Sequence, residues 1–315
     1  MTTGAAAQLR KLFPTKSGAV RELLATVEKI LEHDVNVLIL GEQGSGKDYL
    51  AEAIHACGPR SASPFISIDC ASLPPEIFES ELFGFERGAF TDAQTQKIGR
   101  IEMARKGTLY LDRVASLPST LQAKLLRVIQ DRKFSRLGSN RMMDLDARVI
   151  SSASGLPDDS EGFRKDLYYR LNVVSLTLPP LRKRREDIPG LTGRFLREAS
   201  KKTGRKRKEL TSEAAELLAD YSWPGNVREL KNVLERALLL EESERITAAS
   251  LPLEGFIAAR DLVEAGSDAQ WTLEELEKRY IREILRTSGG NFSKAAEILG
   301  INRKTLLDKR KRYGL

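Results

Sequence analysis

The stretch Gly41-Glu42-Gln43-Gly44-Ser45-Gly46-Lys47-Asp48 constrains this chain more than any other. It follows an apolar run, Val35–Leu40, and leads into a helix, which is the strand–GxxxxGK–helix order of a phosphate-binding loop. Glycines at 41, 44 and 46 let backbone N–H groups turn inward around phosphates. Lys47 adds a point charge, and the following helix contributes its positive end. An ordinary glycine-rich turn is the alternative, but the position between strand and helix favours nucleotide binding. Asp48 stands where most such loops carry Ser or Thr to touch magnesium.

Further apolar runs that read as buried strands recur at Phe65–Asp69, Thr108–Asp112, Ala147–Ala153 and Val173–Leu178, with helix-period segments such as Leu121–Gln130 between them. Such alternation implies a largely parallel sheet covered by helices. After Pro179 and Pro180 the pattern is helical throughout, clearest at Ile188–Lys201, Ser212–Tyr221 and Asn226–Leu240, so a second, all-helical subdomain is expected. The basic run Lys201–Lys208 reads as an exposed loop. Weak periodicity marks 254–270 as a linker, and Trp271 opens a third small helical domain. The expected division is therefore 1–178, 179–253, the linker 254–270, and 271–315.

Several classes are disfavoured. No apolar run approaches the roughly 20 residues that span a bilayer, and Met1–Lys11 lacks the order of a secretion signal, so a cytoplasmic location without membrane attachment is expected. Cys57 and Cys70 form no CxxC pair and the chain has two histidines, which leaves little for a zinc site or a disulfide framework; both cysteines read as buried apolar residues. The formal net charge is +7, and residues 291–315 hold seven cations against two anions. A field concentrated in that way fits phosphate-backbone binding.

The segment Glu81-Leu-Phe-Gly-Phe-Glu-Arg-Gly-Ala-Phe-Thr-Asp-Ala93 resembles the ELFGxExGAFTGA element of sigma-54-dependent transcriptional activators. The resemblance continues through KGTLYLDR (106–113), LLRVIQDRKFSRLGS (125–139), FRKDLYYRLNVVSLTLPPLRKRREDIP (163–189) and YSWPGNVRELKNVLERA (221–237). It implies an α/β AAA+ fold, a P-loop parallel sheet sandwiched by helices, followed by an all-α lid and a small all-α helix-turn-helix domain. It also implies ATP with magnesium as cofactors, a ring of subunits up to a hexamer, and sigma-54 RNA polymerase as partner. Carried over residue by residue, Gly41, Gly44, Ser45, Gly46 and Lys47 bind the phosphates, while Asp48 and Asp112 meet the magnesium. Arg164 and Arg170 resemble arginine fingers that reach a neighbouring subunit's nucleotide, and Arg228 resembles the lid arginine. An arginine fork suits these roles because it stays charged and grips phosphate oxygens two at a time. The loop Gly88-Ala89-Phe90-Thr91-Asp92-Ala93 resembles the sigma-contacting element.

Four positions depart from the family pattern. Arg113 stands where the family has the glutamate that polarises the attacking water, and an arginine accepts no proton at physiological pH. Asp69 replaces the switch asparagine, and Ser154 takes the place of the sensor asparagine. Asp92 replaces the second glycine of GAFTGA, removing easy access to positive φ and adding an anion to the tip. All four lie between hydrolysis and the sigma-contacting loop, whereas the phosphate grip is intact. The expectation is a chain that binds ATP and hydrolyses it poorly or not at all; a fully active ATPase that remodels the closed promoter complex is the alternative.

At the far end, a helix from Thr272 to Thr287 leads into Gly289-Gly290-Asn291. Ser293 can cap a second helix, and Asn302 a third. Ala296, Gly300 and Leu306 have helix-turn-helix spacing, and GGNFSKAAEILGINRKTLLDKRKRYGL resembles the Fis-type domain that ends such activators. Asn302, Arg303, Lys304 and Thr305 are candidates for base or nearby phosphate contacts in the major groove of double-stranded DNA. Lys309 and Arg310, with Lys311 and Arg312, are candidates for phosphates. Half-site recognition calls for paired domains, so a dimer of the tail is expected, with higher oligomers through the AAA+ module.

Overall fold

The computed structural model describes residues 2–90, 93–155, 162–251, 253, 271–288 and 291–314. The linker 254–270, Thr91 and Asp92 of the loop tip, and the Gly289-Gly290 turn fall outside the described residues. The chain divides into two compact units, Met1–Ile246 and Thr247–Leu315.

In the first unit, α1 (Thr2–Leu12) and α2 (Gly18–Ile30) precede β1 (Val37–Leu40), α3 (Lys47–Cys57) and β2 (Phe65–Asp69). Then come α4 (Pro75–Phe83), a short antiparallel pair β3 (Gly84–Phe85) and β4 (Lys97–Ile98), the single turn α5 (Arg100–Met103), β5 (Thr108–Asp112) and α6 (Ser119–Asp131). A second short pair, β6 (Lys133–Phe134) and β7 (Met143–Asp144), leads to β8 (Arg148–Ala153), α7 (Lys165–Leu171) and β9 (Val174–Thr177). The five long apolar runs thus all become strands of one parallel sheet, in the order β2-β5-β8-β1-β9. The central strands β1, β5 and β8 are buried on both faces because helices cover both, whereas the edge strands β2 and β9 stay partly exposed. One face packs Leu38, Leu109, Leu111 and Val149 against α4, α6 and α7; the other packs Ile39, Tyr110 and Ile150 against α1, α2 and α3. This is why the runs read as continuous and not alternating.

Register fixes the working edge. Leu40 lies beside Ala153, and Asp69 beside Asp112, so the chain ends of β1, β2, β5 and β8 open at one rim. In parallel sheets ligands bind outside these carboxyl ends.

Beyond β9, α8 (Ile188–Thr203), α9 (Ser212–Asp220) and α10 (Asn226–Leu240) build the helical part, with α8 packed on α10. It is not helical throughout: Glu209–Leu210 (β10) pairs in parallel with Arg245–Ile246 (β11). Two residues per strand are too few for any periodicity to register in the sequence. The basic run Lys201–Lys208 also differs from expectation, since its first residues complete α8 before Gly204 ends the helix in the left-handed conformation. Cations in a last turn suit the negative end of a helix. Cys57 and Cys70 are both buried and free.

The second unit contains α11 (Leu273–Thr287), α12 (Phe292–Ile298) and α13 (Arg303–Tyr313), which close on Ile281, Ala295, Ala296, Leu306 and Tyr313. The second helix is capped by Asn291, whose Oδ1 accepts from Ser293 N at 3.1 Å, and not by Ser293. Among the described residues no helix is long and apolar enough to cross a membrane.

Candidate functional site

The loop between β1 and α3 takes the shape its glycines permit. Gly41, Gly44 and Gly46 all have positive φ, and a Cβ on Gly44 would lie 2.3 Å from the Gly225 carbonyl oxygen. A side chain there would push the loop off the lid, so the site requires glycine. Lys47 is buried, and its Nζ donates to the carbonyls of Gly41 at 2.6 Å and Glu42 at 3.0 Å. Burial pushes its pKa down, and the nearby Asp112 and Asp48 carboxylates oppose that shift. A folded-back lysine in a loop shaped by three positive-φ glycines fits a cradle for a chain of phosphates. Ser45 Oγ is buried in this loop with no hydrogen-bond partner among the described residues.

Beside the cradle, Asp48 on α3 and Asp112 at the end of β5 are joined through Tyr110. The Tyr110 hydroxyl donates to Asp48 Oδ1 at 2.8 Å and lies 3.2 Å from Asp112 Oδ1. Burial drives that phenol far above its ordinary range, so it stays a neutral donor. Ser152 Oγ donates to the same Asp112 oxygen and accepts from Arg113 N at 3.0 Å. Two carboxylates at the mouth of a phosphate cradle are oxygen donors suited to a magnesium ion carried in with a nucleotide. Ser154, by contrast, follows β8 as an exposed bend; the polar reach from that strand to Asp112 comes from Ser152. Neither Tyr110 nor Ser152 was singled out from sequence, because inside a buried strand their hydroxyls look like packing.

Arg113 and Asp69 meet. Register places Asp69 opposite Asp112, and Arg113 follows Asp112 with a left-handed backbone, φ 54°. That turn swings the guanidinium across to the neighbouring strand, where Nε donates to Asp69 Oδ1 at 3.0 Å and Nη2 to Asp69 Oδ2. Nε also lies 3.8 Å from Asp112 Oδ2. The hydrogen bond to Asp69 holds the guanidinium above even its usual pKa. Asp69 in turn accepts from Ala71 N at 3.0 Å, starting the turn that leads into α4.

The lid holds the loop from the other side. Asn226, fully buried with φ 54°, donates from Nδ2 to Glu42 Oε2 and to Gln43 O, both at 3.1 Å, and its Oδ1 accepts from Leu181 N at 2.7 Å. Arg182 forms a fork on Glu42 at 2.7 and 2.6 Å, which pulls the Glu42 carboxyl below its ordinary range. Buried Arg184 donates to Ser45 O at 2.5 Å, and desolvation lowers its pKa to about 10. Arg228 N donates to Gly44 O at 3.2 Å, and its guanidinium stands 3.9 Å from Asp48. Of the arginines expected to reach phosphate, Arg228 is therefore the one brought to this chain's own loop.

Arg164 and Arg170 sit on the exposed side of α7. Arg164 pairs with Asp166 at 2.8 Å, and the Arg170 carbonyl accepts from Asn36. No contact with Lys47, Asp48 or Asp112 is seen for either side chain among the described residues. In the loop 84–93, Gly88 N donates to Ala93 O at 2.8 Å, closing its base, and Ala93 is buried. Ala89 packs where a Cβ on Gly138 would come within 2.8 Å, and half-exposed Phe90 sets its ring edge on Phe85 with centroids 4.8 Å apart. Thr91 and Asp92 lie outside the described residues.

On α13, Asn302 Oδ1 accepts from Thr305 N at 2.8 Å and from Thr305 Oγ1 at 2.9 Å, so this pair forms the helix cap. Arg303 and Lys304 are exposed in the first turn. Lys309 instead donates to Glu277 on α11 at 2.7 Å, and Arg312 to Glu274 at 2.7 Å. Arg310 lies over the Phe292 ring at 5.1 Å. The basic tail thus splits into an outward first turn and a second half partly tied to α11.

Three family models match. The Sigma-54 interaction domain covers residues 13–177, the AAA+ ATPase lid domain 182–264, and the Bacterial regulatory protein, Fis family, 272–313. The transcriptional regulatory protein ZraR of Escherichia coli (strain K12) is 43% identical over 297 residues, spanning 93% of this chain and 67% of that protein. The alginate biosynthesis transcriptional regulatory protein AlgB of Pseudomonas aeruginosa is 44% identical over 303 residues, spanning 95% and 67%. A crystal structure of NtrX from Brucella abortus in complex with ATP superposes with TM-score 0.68 at 36% identity, covering 96% of this chain and 69% of that one. The chain belongs to the sigma-54 interaction domain family of DNA-binding transcriptional regulators, with an AAA+ module, a lid and a Fis-type helix-turn-helix.

Proposed function

We propose that this chain is a nucleotide-responsive regulator: it binds ATP with magnesium on the 41–48 loop, binds double-stranded DNA through α13, and turns ATP over slowly or not at all. The observation that carries this reading is the Arg113–Asp69 pair. A water attacking a phosphate needs a nearby acceptor for its proton, and the side chain following Asp112 is a permanent cation whose partner carboxylate is occupied by it. Loss of such a base costs about 10²–10⁴ in rate.

Within this reading, Lys47 and the loop N–H groups hold the phosphates, Asp48 and Asp112 hold magnesium, Tyr110 keeps those two carboxylates together, and Arg228 closes the lid over Asp48. When bound, the metal supplies positive charge that neutralises the phosphates. The NtrX complexes with ATP and with ADP support nucleotide binding by a fold of this kind. Arg164 and Arg170, on the surface away from this chain's own loop, suit a role toward a neighbouring subunit, as a dimer or a ring up to a hexamer requires. The loop 88–93 suits contact with sigma-54, which Asp92 alters in charge and backbone freedom, so remodelling of the promoter complex is weakened with hydrolysis. Residues 1–178, 179–253 and 271–315 are assigned to the nucleotide, lid and DNA-binding parts, joined by 254–270.

A second reading, an ATP-hydrolysing activator, draws on the intact phosphate grip and on Asp112. Calorimetric titration of the purified chain with ATP, together with phosphate release at saturating ATP with and without target DNA, separates the two. Saturable binding with release near zero supports the first reading. Turnover in the ordinary enzyme range of about 1 s⁻¹ or more supports the second.

A further inference from the structure

The guanidinium of Arg113 is only partly used by its partner Asp69. It has five N–H donors, and Asp69 takes two of them. The remaining three have no hydrogen-bond partner among the described residues, on a side chain only 36% exposed and 3.8 Å from Asp112. Asp112 is also the carboxylate that most strongly supports the charge of the buried Lys47. An unsaturated fork therefore lies beside Asp112, the carboxylate at the mouth of the phosphate cradle.

We propose that Arg113 reads the terminal phosphate in cis: its free N–H donors hold the third phosphate of a nucleoside triphosphate in competition with Asp69, so that the chain separates triphosphate from diphosphate by affinity. This rests on the nucleotide-binding reading above and adds to it a residue that sets nucleotide selectivity. A guanidinium suits the task because it grips phosphate oxygens two at a time and is weakly hydrated. A carboxylate at the same position would repel the phosphate. The two members of the pair then have opposite roles, Arg113 attracting the phosphate and Asp69 restraining Arg113.

Isothermal titration of the full chain with magnesium and either ADP or the non-hydrolysable triphosphate AMP-PNP tests this. In the unaltered chain AMP-PNP binds more tightly than ADP. Arg113→Gln weakens AMP-PNP by about tenfold or more and leaves ADP unchanged, in line with a lost charged hydrogen bond. Asp69→Asn strengthens AMP-PNP and leaves ADP unchanged. Arg113→Lys, which keeps the charge but loses the fork, falls between Arg113→Gln and the unaltered chain and guards against misfolding of any one variant. If Arg113 only ties β5 to β2, Arg113→Gln and Asp69→Asn shift both nucleotides alike or not at all, and the proposal is overturned while nucleotide binding stands. Absence of binding by the unaltered chain overturns both.

Discussion

Arg113 and Asp69, 44 residues apart in sequence, form a two-point ion pair across the carboxyl ends of β5 and β2, with Nε 3.0 Å from Oδ1. Each is the other's partner. Reverting one without the other is therefore expected to harm the fold. Arg113→Glu alone sets two carboxylates face to face, and thermal unfolding should show a lower midpoint than for Arg113→Glu combined with Asp69→Asn. With both side chains about a third exposed, a double-mutant cycle using Arg113→Gln and Asp69→Asn should yield a coupling of about 0.5–1 kcal/mol. Additive effects would mean that the pair contributes nothing to stability.

Lys47→Ala removes the one lysine of the 41–48 loop. A charged hydrogen bond contributes about 1.5–3 kcal/mol, so the ATP dissociation constant should rise by roughly 10- to 150-fold in calorimetry. Unfolding of the nucleotide-free chain should change less than nucleotide affinity, because among the described residues the Lys47 ammonium bonds carbonyls of its own loop alone.

His55 offers a pH test. Its ring is buried, with Nδ1 2.9 Å from Thr108 Oγ1, and desolvation holds its pKa below the ordinary 6.5. Between the two values the unfolded chain binds the proton and the folded chain does not. Its contribution is therefore complete above about pH 6.5 and falls as the pH drops toward the lower folded value. Melting curves from pH 7.5 to 5 should show this loss, and His55→Gln should flatten the dependence over that interval. An unchanged slope in the variant would assign the acid sensitivity to other groups.

The DNA-binding helix divides in a way that substitutions can separate. Arg303→Ala, in the exposed first turn of α13, should erode discrimination between a preferred site and random duplex. Lys311→Ala should weaken all DNA similarly and lower the salt slope by about 1. Lys309→Ala should mainly loosen α13 from α11, because its ammonium is held by Glu277, and should leave the slope closer to the unaltered value. Gel shifts across a salt series distinguish the three.

Much of the architecture is legible in the residues. The central strands β1, β5 and β8 announce themselves as apolar runs because both their faces are covered, and Gly44, Gly46 and Lys47 are recognisable because a phosphate loop tolerates few alternatives at these spacings. Long-range partners are a different matter. Asn226 and Glu42 are 184 residues apart, and nothing in the local pattern of Trp223-Pro224-Gly225-Asn226 says that its amide will clamp the loop. Tyr110 and Ser152 hide inside strands, where a hydroxyl bound to a carboxylate and one that merely fills space look the same. Arg113 and Asp69 can be linked from sequence only through the family pattern; their direct contact emerges from the β2–β5 register, and the hydrogen bond of Lys309 to Glu277 from the packing of α13 beside α11.

Steady-state phosphate release by the unaltered chain, set beside that of the Arg113→Glu/Asp69→Asn double variant at saturating ATP and magnesium, tests the central claim most directly. The unaltered chain is expected to be slower by about 100-fold or more, the cost of a missing proton acceptor. Equal rates, with the unaltered chain already turning over about once per second, would contradict it.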